Sequence, residues 1–308
     1  MTGRRIVVSV LAAAFVALLL PAVADARYGW PLKPFGRAHP VRGQLNDPRP
    51  GSEPDGVHAF HFGLDIVTPD GTAVYAVRPG RVRYVGRYAL AVRGPRGEST
   101  FAYWHVRPIA KNGSRVKEHA LLGRVAPGYG HLHFGEKRHG RYVNPLRRGA
   151  LTPYADTTRP TIASVSYYDG ASHDLTGATI SGAVRLTVNA FDTPQLQSDW
   201  SWAVVTPARV AWQLYDQNGL KVFSGRWGLG GAICRLDPLL VFAPGTLKNN
   251  KYRPGSYDYW LGRTWDTGGL EPGGFWLVVS ASDIRGNETT KIVTFSVSEP
   301  VSAPDVSS

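Results

Sequence analysis

The sequence predicts an all-β protein of two domains, and three observations carry that prediction. At 308 residues the chain is longer than one hydrophobic core comfortably serves. Short runs rich in β-branched and aromatic residues recur between Gly, Pro and Asn turn signals. Between His58 and Pro145 no stretch of useful length shows the apolar period of a helix. With 43% apolar residues and nine Trp, there is ample material for packed cores.

Arg4 and Arg5 precede the apolar run Ile6 to Leu20, and Ala24-Asp25-Ala26 supplies the small residues of a cleavage site, so residues 1–26 read as a signal peptide. The run is short for a membrane span of ~20 residues and ends in Pro21. The mature protein is therefore expected to be secreted, extracellular or in the cell envelope (the periplasm if an outer membrane is present), without stable membrane insertion. Residues 27–57 carry Pro31, Pro34, Pro40, Pro48, Pro50 and Pro54 with little periodicity, and read as an extended Pro-rich segment draped over a domain.

The first domain is expected over residues 58–150. Ala73 to Val77, Arg81 to Val85, Ala89 to Arg93, Thr100 to Val106 and His131 to Glu136 are its short β-rich runs, separated by Pro79-Gly80, Gly86 and Gly94-Pro95-Arg96-Gly97. Together they predict a compact, mostly antiparallel β domain. Residues 151–160, with Pro153 and Pro160 and few apolar side chains, read as a linker. A second set of strands spans 161–298: Ile162 to Tyr168, Val184 to Ala190, Arg209 to Tyr215, Leu220 to Ser224, Phe275 to Ser282 and Lys291 to Val297. Their spacing, with turns at Asp216-Gln217-Asn218-Gly219 and Arg285-Gly286-Asn287, predicts a β-sandwich. Gly228 to Gly274 fits that pattern poorly and reads as a long insertion, and residues 299–308 read as a disordered tail.

A net charge of +12 implies attraction to polyanions, which outside a bacterial cell are wall polymers and lipid headgroups. The basic residues are scattered, with no Lys/Arg block, so nucleic acid is not an expected partner. Cys234 is the only cysteine, which excludes an intramolecular disulfide and leaves stability to packing.

The chemistry-bearing residues are histidines. In His131-Leu132-His133-Phe134 a strand would project His131 and His133 to one side and pack Leu132 and Phe134 on the other. His61-Phe62-Gly63-Leu64-Asp65 offers another imidazole and a carboxylate. Zinc accepts His nitrogen and Asp oxygen, and a catalytic zinc takes three protein ligands with one position open. Four extended residues span ~13 Å, too far to share an ion, so the chain must bend between His61 and Asp65. Gly63 is where bending costs least. His105, at the end of the Tyr103-Trp104 strand, adds an imidazole able to polarise a carbonyl or shuttle a proton near neutral pH. His39, His58, His119, His139 and His173 read as surface or loop residues. His-Glu-x-x-His and Gly-x-Ser-x-Gly are both absent.

Taken in order, His-x-Gly-x-Asp, aromatic-x-His and His-Leu-His-Phe resemble the lysostaphin/LytM type of peptidoglycan metalloendopeptidase, over roughly residues 58–146. Val74-Tyr75-Ala76-Val77 followed by Gly80-Arg81-Val82 also matches. The resemblance implies that His61, Asp65 and His133 bind Zn2+, while His105 and His131 flank the attacking water and the scissile carbonyl, with their separate roles left open. It implies a secreted zinc metalloendopeptidase that hydrolyses stem or cross-link peptides of peptidoglycan through a zinc-activated water, with peptidoglycan and anionic wall polymers as partners. The other reading is a catalytically inactive wall-binding regulator of other hydrolases, against which all five residues are present. The loop Val125 to Gly130 is shorter than the Gly/Ser/Thr-rich loop usual in that family, and Trp104 stands where the family often has a small residue, so the groove walls are expected to differ.

The second domain holds seven of the Trp. Trp212 and Trp276, lying in strands, are expected in its core, whereas Trp200, Trp202, Trp260 and Trp265 lie in loop-like sequence, where stacking on sugar rings is the functional alternative. Ala281-Ser282-Asp283-Ile284-Arg285-Gly286-Asn287 resembles the last hairpin of bacterial immunoglobulin-like domains. The expected architecture is thus a compact antiparallel β metallopeptidase domain followed by an Ig-like β-sandwich domain.

Overall fold

The computed structural model describes residues 27–50, 57–95, 97, 99–194, 203–249 and 252–298. The expected signal peptide and tail, and Trp200 and Trp202, lie outside them. The described residues are almost entirely β, with one four-residue helix, Pro238–Val241, capped by the Asp237 side chain accepting from Leu239 N at 2.9 Å. No helix among them is long and apolar enough to cross a membrane.

The first sheet is antiparallel and runs, in spatial order, Val41–Gly43, Leu64–Val67, His131–Arg138, Ser99–Trp104, Ala89–Arg93, Gly80–Gly86 and Arg115–Val116, with Arg141–Val143 also paired to His131–Arg138. A second, three-stranded sheet of Ala73–Tyr75, Leu121–Val125 and Val106–Pro108 covers it. Alternation along these strands sends Leu64, Ile66, Val82, Leu90, Val92, Tyr103, Leu132 and Phe134 into one core, all with no accessible surface.

The Pro-rich segment is more than a drape. Tyr28, Trp30, Leu32 and Val41 belong to the core of the first domain, and Val41–Gly43 is the edge strand of its sheet. The low apolar periodicity that argued against structure arises because this segment buries isolated residues between prolines. The expected linker is likewise packed. Leu151 is in the same core, and Trp30 Nε1 donates to Pro153 O at 2.8 Å.

Residues 161–298 form two antiparallel sheets that share a second core. One is ordered Thr161–Tyr168, Ala183–Phe191, Asp258–Asp266, and the other Lys221–Gly228, Arg209–Asp216, Gly273–Ser282, Glu288–Val297. The stretch 228–274 is not one long insertion, because Asp258–Asp266 is a full strand whose Tyr259 and Leu261 are buried between the sheets. Trp260 is 8% exposed and Trp265 packs against the core, so neither offers a free stacking face. Trp276, expected inside, instead lies on the outer side of its strand, stacked on Tyr215 at 6.0 Å, because the alternation there gives the inner positions to Phe275 and Leu277. Cys234 is half-buried and free.

Where the linker meets the second domain, Asp156, Asp192 and Asp283 are buried with carboxylate oxygens within 4.8 Å of one another. Burial, reinforced by the charges of Asp156 and Asp283, pushes Asp192 up to about 8. A carboxyl raised in the folded state is harmless while protonated, so its cost begins as pH passes its unfolded value near 4 and grows by about 1.4 kcal/mol per pH unit until it ionises in the native state. Asp192→Asn, which can still accept from Thr193 N, is therefore expected to raise the thermal midpoint at pH 8 and to leave it unchanged at pH 4. Melting curves at the two pH values check this. Equal shifts at both would refute it.

Candidate metal centre and groove

Three strands set the site, Leu64–Val67, His131–Arg138 and Ser99–Trp104. His133 pairs with Asp65 on one side and with Trp104 on the other, so the His131–Arg138 strand carries two imidazoles between the strand of Asp65 and the strand that leads to His105. With Leu132 and Phe134 in the core, His131 and His133 must share the opposite face. His61 precedes Leu64–Val67, and the bend at Gly63 folds it back over Asp65. The demand for glycine there is steric rather than torsional: a Cβ would sit 2.6 Å from Phe134 O and 2.7 Å from His133 Nε2.

Three donor atoms converge. His61 Nε2 lies 2.8 Å from His133 Nδ1, and each lies 3.1 Å from Asp65 Oδ1. All three residues are buried. Their tautomers and orientations are held from outside. His61 Nδ1 donates to Gln44 O at 2.8 Å, which leaves the Nε2 lone pair facing inward. Arg49 Nη2 donates to Asp65 Oδ2 at 2.8 Å, leaving Oδ1 for the centre. The His133 ring is held by Phe62, 4.4 Å away centroid to centroid, and its Nε2 has no hydrogen-bond partner.

Burial holds His61 down to about 3, helped by the charge of Arg49. Burial alone would raise the Asp65 carboxyl, but His61, His133 and Arg49 outweigh it and keep it well below the usual carboxylate range. Near neutral pH the site therefore offers neutral imidazole at His61 and an ionised carboxylate, the forms that bind a divalent metal. Two nitrogens and one oxygen suit zinc and leave a fourth position open.

His105 and His131 stand beside the centre, with rings 4.6 Å apart. His105 is reached through a backbone kink at φ +66° between Ser99–Trp104 and Val106–Pro108, and Ala126 N locks its carbonyl at 2.7 Å. Its ring stacks on Tyr129 at 4.1 Å, and burial lowers it to about 4. His131 Nε2 is 3.5 Å from Asp65 Oδ1, and its Nδ1 lies 2.7 Å from both Arg42 Nη2 and Tyr129 O. Burial lowers His131 as well, with Asp65 opposing and Arg42 reinforcing the shift.

All five residues singled out from the sequence thus meet at one cavity of about 640 Å³. Tyr129, from the loop expected to form a groove wall, also lines it, as do Arg42, Arg49, Lys248 and Asn249, which the sequence did not single out. Arg42 and Arg49 lie in the Pro-rich segment, and Lys248 and Asn249 lie about two hundred positions further on, in the second domain. No local pattern links them to the histidines.

A buried sheet face presents two imidazole nitrogens and a carboxylate oxygen to one point, flanked by two more imidazoles, a group that could hold a metal ion. Residues 59–145 match the model of peptidase family M23. No curated protein matches the chain. Among solved structures, the chain is similar to Csd3 from Helicobacter pylori, with 24% identity, 43% of this chain and 37% of that one covered, and a TM-score of 0.33. It is similar to the catalytic domain of the antimicrobial peptidase lysostaphin from Staphylococcus simulans, with 23% identity over 30% of this chain and 77% of that one and a TM-score of 0.25. It is also similar to a point mutant of the catalytic domain of the prophage-encoded M23 protein EnpA from Enterococcus faecalis, with 26% identity over 37% of this chain and 95% of that one and a TM-score of 0.27. The chain thus spans little more than a third of the length of Csd3.

Proposed function

We propose that the protein is a secreted zinc metalloendopeptidase that hydrolyses peptide bonds in the stem or cross-link peptides of peptidoglycan. The observation that carries this reading is the convergence of His61 Nε2, Asp65 Oδ1 and His133 Nδ1 inside the segment that matches the M23 family. These three side chains would hold the ion. Zinc bound there supplies Lewis acidity, polarising the scissile carbonyl and acidifying water.

The remaining steps belong to the chain's own residues. His105 and His131, kept neutral by burial, have ring nitrogens able to take a proton from the attacking water and return it to the leaving amine. Arg42 against His131, and Tyr129 against His105, restrict the two rings to one orientation each. Arg49 holds the Asp65 carboxylate in place. The groove is open to solvent at the rim, as a polymeric substrate requires. The signal-like residues 1–26 support secretion, the net charge of +12 supports attraction to anionic wall polymers, and the two-sheet second domain with its Asp283 to Asn287 turn supports an Ig-like module.

Incubation of the purified protein with peptidoglycan, counting newly released amino termini, tests the reading. Zinc depletion is expected to abolish release and zinc to restore it. Undiminished release without zinc, or binding of wall material without any cleavage by the zinc-loaded protein, would refute it.

A further inference from the structure

Arginines that are scattered along the chain come together on the first sheet. Arg115 pairs across strands with Arg81, and Arg81 with Arg93, so three of them stand in one row across Arg115–Val116, Gly80–Gly86 and Ala89–Arg93. Arg83, two residues on from Arg81, shares their side of the sheet, because Val82 and Val92 fill the core on the other. All four arginines are exposed, and together they line one cavity of about 440 Å³.

Like charges directly opposite one another weaken a sheet, so such a row is costly unless something offsets it. None of the four makes an ion pair with a described residue. Arg81 Nη1 donates to Gly113 O at 3.1 Å, and the Arg93 guanidinium lies against the turn at Gly97, where a Cβ would come within 2.7 Å of its Nη2. The rest of the described lining is Gly, Pro and Val116, with neither a carboxylate nor an aromatic ring. Four guanidinium forks with so few internal partners are a site for an anion.

The row spans three strands, roughly 10 Å, which is long for one small anion and suits successive charges along a chain. A planar carboxylate presents its oxygens to a single fork, whereas a tetrahedral phosphate group can be gripped by the forks of two neighbouring strands at once. Without a ring to stack on, nucleic-acid bases gain nothing here. We propose that this row binds a linear polymer of phosphodiester-linked units, which on the reading above is a polymer of the cell wall. Arg93 pairs with Thr100 and Thr100 with Lys137, and Lys137 lies on the strand that carries His133. The line of the row thus meets that strand roughly 13 Å from His133 and on the same face of the sheet, so a bound polymer lies beside the candidate metal centre.

The probe is a synthetic glycerol-phosphate oligomer, whose binding to the full-length protein is measured by calorimetry beside polyglutamate and single-stranded DNA of the same charge. The glycerol-phosphate oligomer is expected to bind most tightly, with an affinity that falls as salt is raised. Arg81→Gln combined with Arg93→Gln is expected to weaken it about tenfold and to flatten its salt dependence. Lys221→Gln combined with Arg263→Gln removes the same charge from exposed positions of the second domain and is expected to change binding less than about twofold. Should circular dichroism show the first variant unfolded, Arg115→Gln, at the sheet edge, carries the test, with about threefold weaker binding expected. Equal losses at the row and in the second domain would reduce the effect to net charge and overturn the site. So would tighter binding of polyglutamate or of DNA than of the glycerol-phosphate oligomer, which would assign the row to another class of polymer. Cleavage of peptidoglycan is scored separately. Row-dependent binding by a protein that cuts nothing would sink the peptidase reading while sustaining the site.

Discussion

Replacing His133 with Ala is expected to empty the metal centre, whereas replacing His131 or His105 is expected to leave it filled and slow. The two histidines of the pair are two residues apart on one strand face, yet they meet different surroundings. His133 Nδ1 faces His61 Nε2 and Asp65 Oδ1 at 2.8 and 3.1 Å. Without it only two donors remain, and the loss of affinity should exceed the ~10–100-fold typical of losing an outer hydrogen-bond partner. His131 Nε2 stands farther from Asp65 Oδ1, at 3.5 Å, than the 3.1 Å of His61 Nε2 and His133 Nδ1, and lies outside the triplet. Proton transfer and oxyanion stabilisation are each worth ~10²–10⁴ in rate, so His131→Ala and His105→Ala should keep about one zinc per chain while turnover falls by such factors. Zinc analysis of the three purified variants alongside single-turnover hydrolysis decides the matter. Loss of zinc from His131→Ala with retention in His133→Ala would reverse the assignment.

Ending the chain at Arg159 is expected to destroy the candidate metal site as well, although every residue of the His-x-Gly-x-Asp and His-Leu-His-Phe motifs would remain. Phe60, adjacent to His61, is 9% exposed and belongs to the core of the second domain, where its ring lies 5.7 Å from that of Phe242. The loop that holds His61 depends on the same domain. His61 N donates to Asp47 O at 2.9 Å, and Asn46 N donates to His61 O at 2.8 Å. In turn Gln44 Nε2 donates to Thr206 O, Asp47 Oδ1 accepts from Thr206 N at 2.8 Å, and Asn46 Nδ2 donates to Leu229 O at 2.6 Å. Exposing Phe60 costs about 1.5–3 kcal/mol and each stranded buried polar group a further ~1–3 kcal/mol, together several kcal/mol against a typical total of about 5–15 kcal/mol. The truncated chain should bind no zinc and should unfold without a sharp transition, as read by metal content and circular dichroism. A truncated chain that binds one zinc and still releases peptides would show that the two domains are independent.

Residues 151–160 and the Pro-rich segment are packed although their composition is that of loose chain, and the reason is physical. A linker is inferred from Pro, Thr and few apolar residues, and residues 151–160 have that composition. Burial there depends on single residues, Leu151 and Asp156, that fill gaps left by distant strands. The same holds for the Pro-rich segment, whose Trp30 and Leu32 fill the first core without any repeat along the chain. Tryptophan is usually buried, but register along Gly273–Ser282, anchored by Phe275 and Leu277, puts Trp276 outside.

Period-two alternation and turn residues were enough, from the sequence alone, to mark an all-β chain, because pleating imposes that rhythm wherever one face of a strand is buried. That His131 and His133 share one strand face was also legible, and with His61, Asp65 and His105 they line one cavity. The surroundings of those five were decided only by the tertiary structure. Arg42, Arg49, Gln44 and Asn249 reach the site because residues 41–49 and a segment some two hundred positions further on meet beside it. Ligand spacing is a local property of one or two strands, whereas the groove that positions a substrate is made by long-range packing, which leaves no periodic trace in the order of residues.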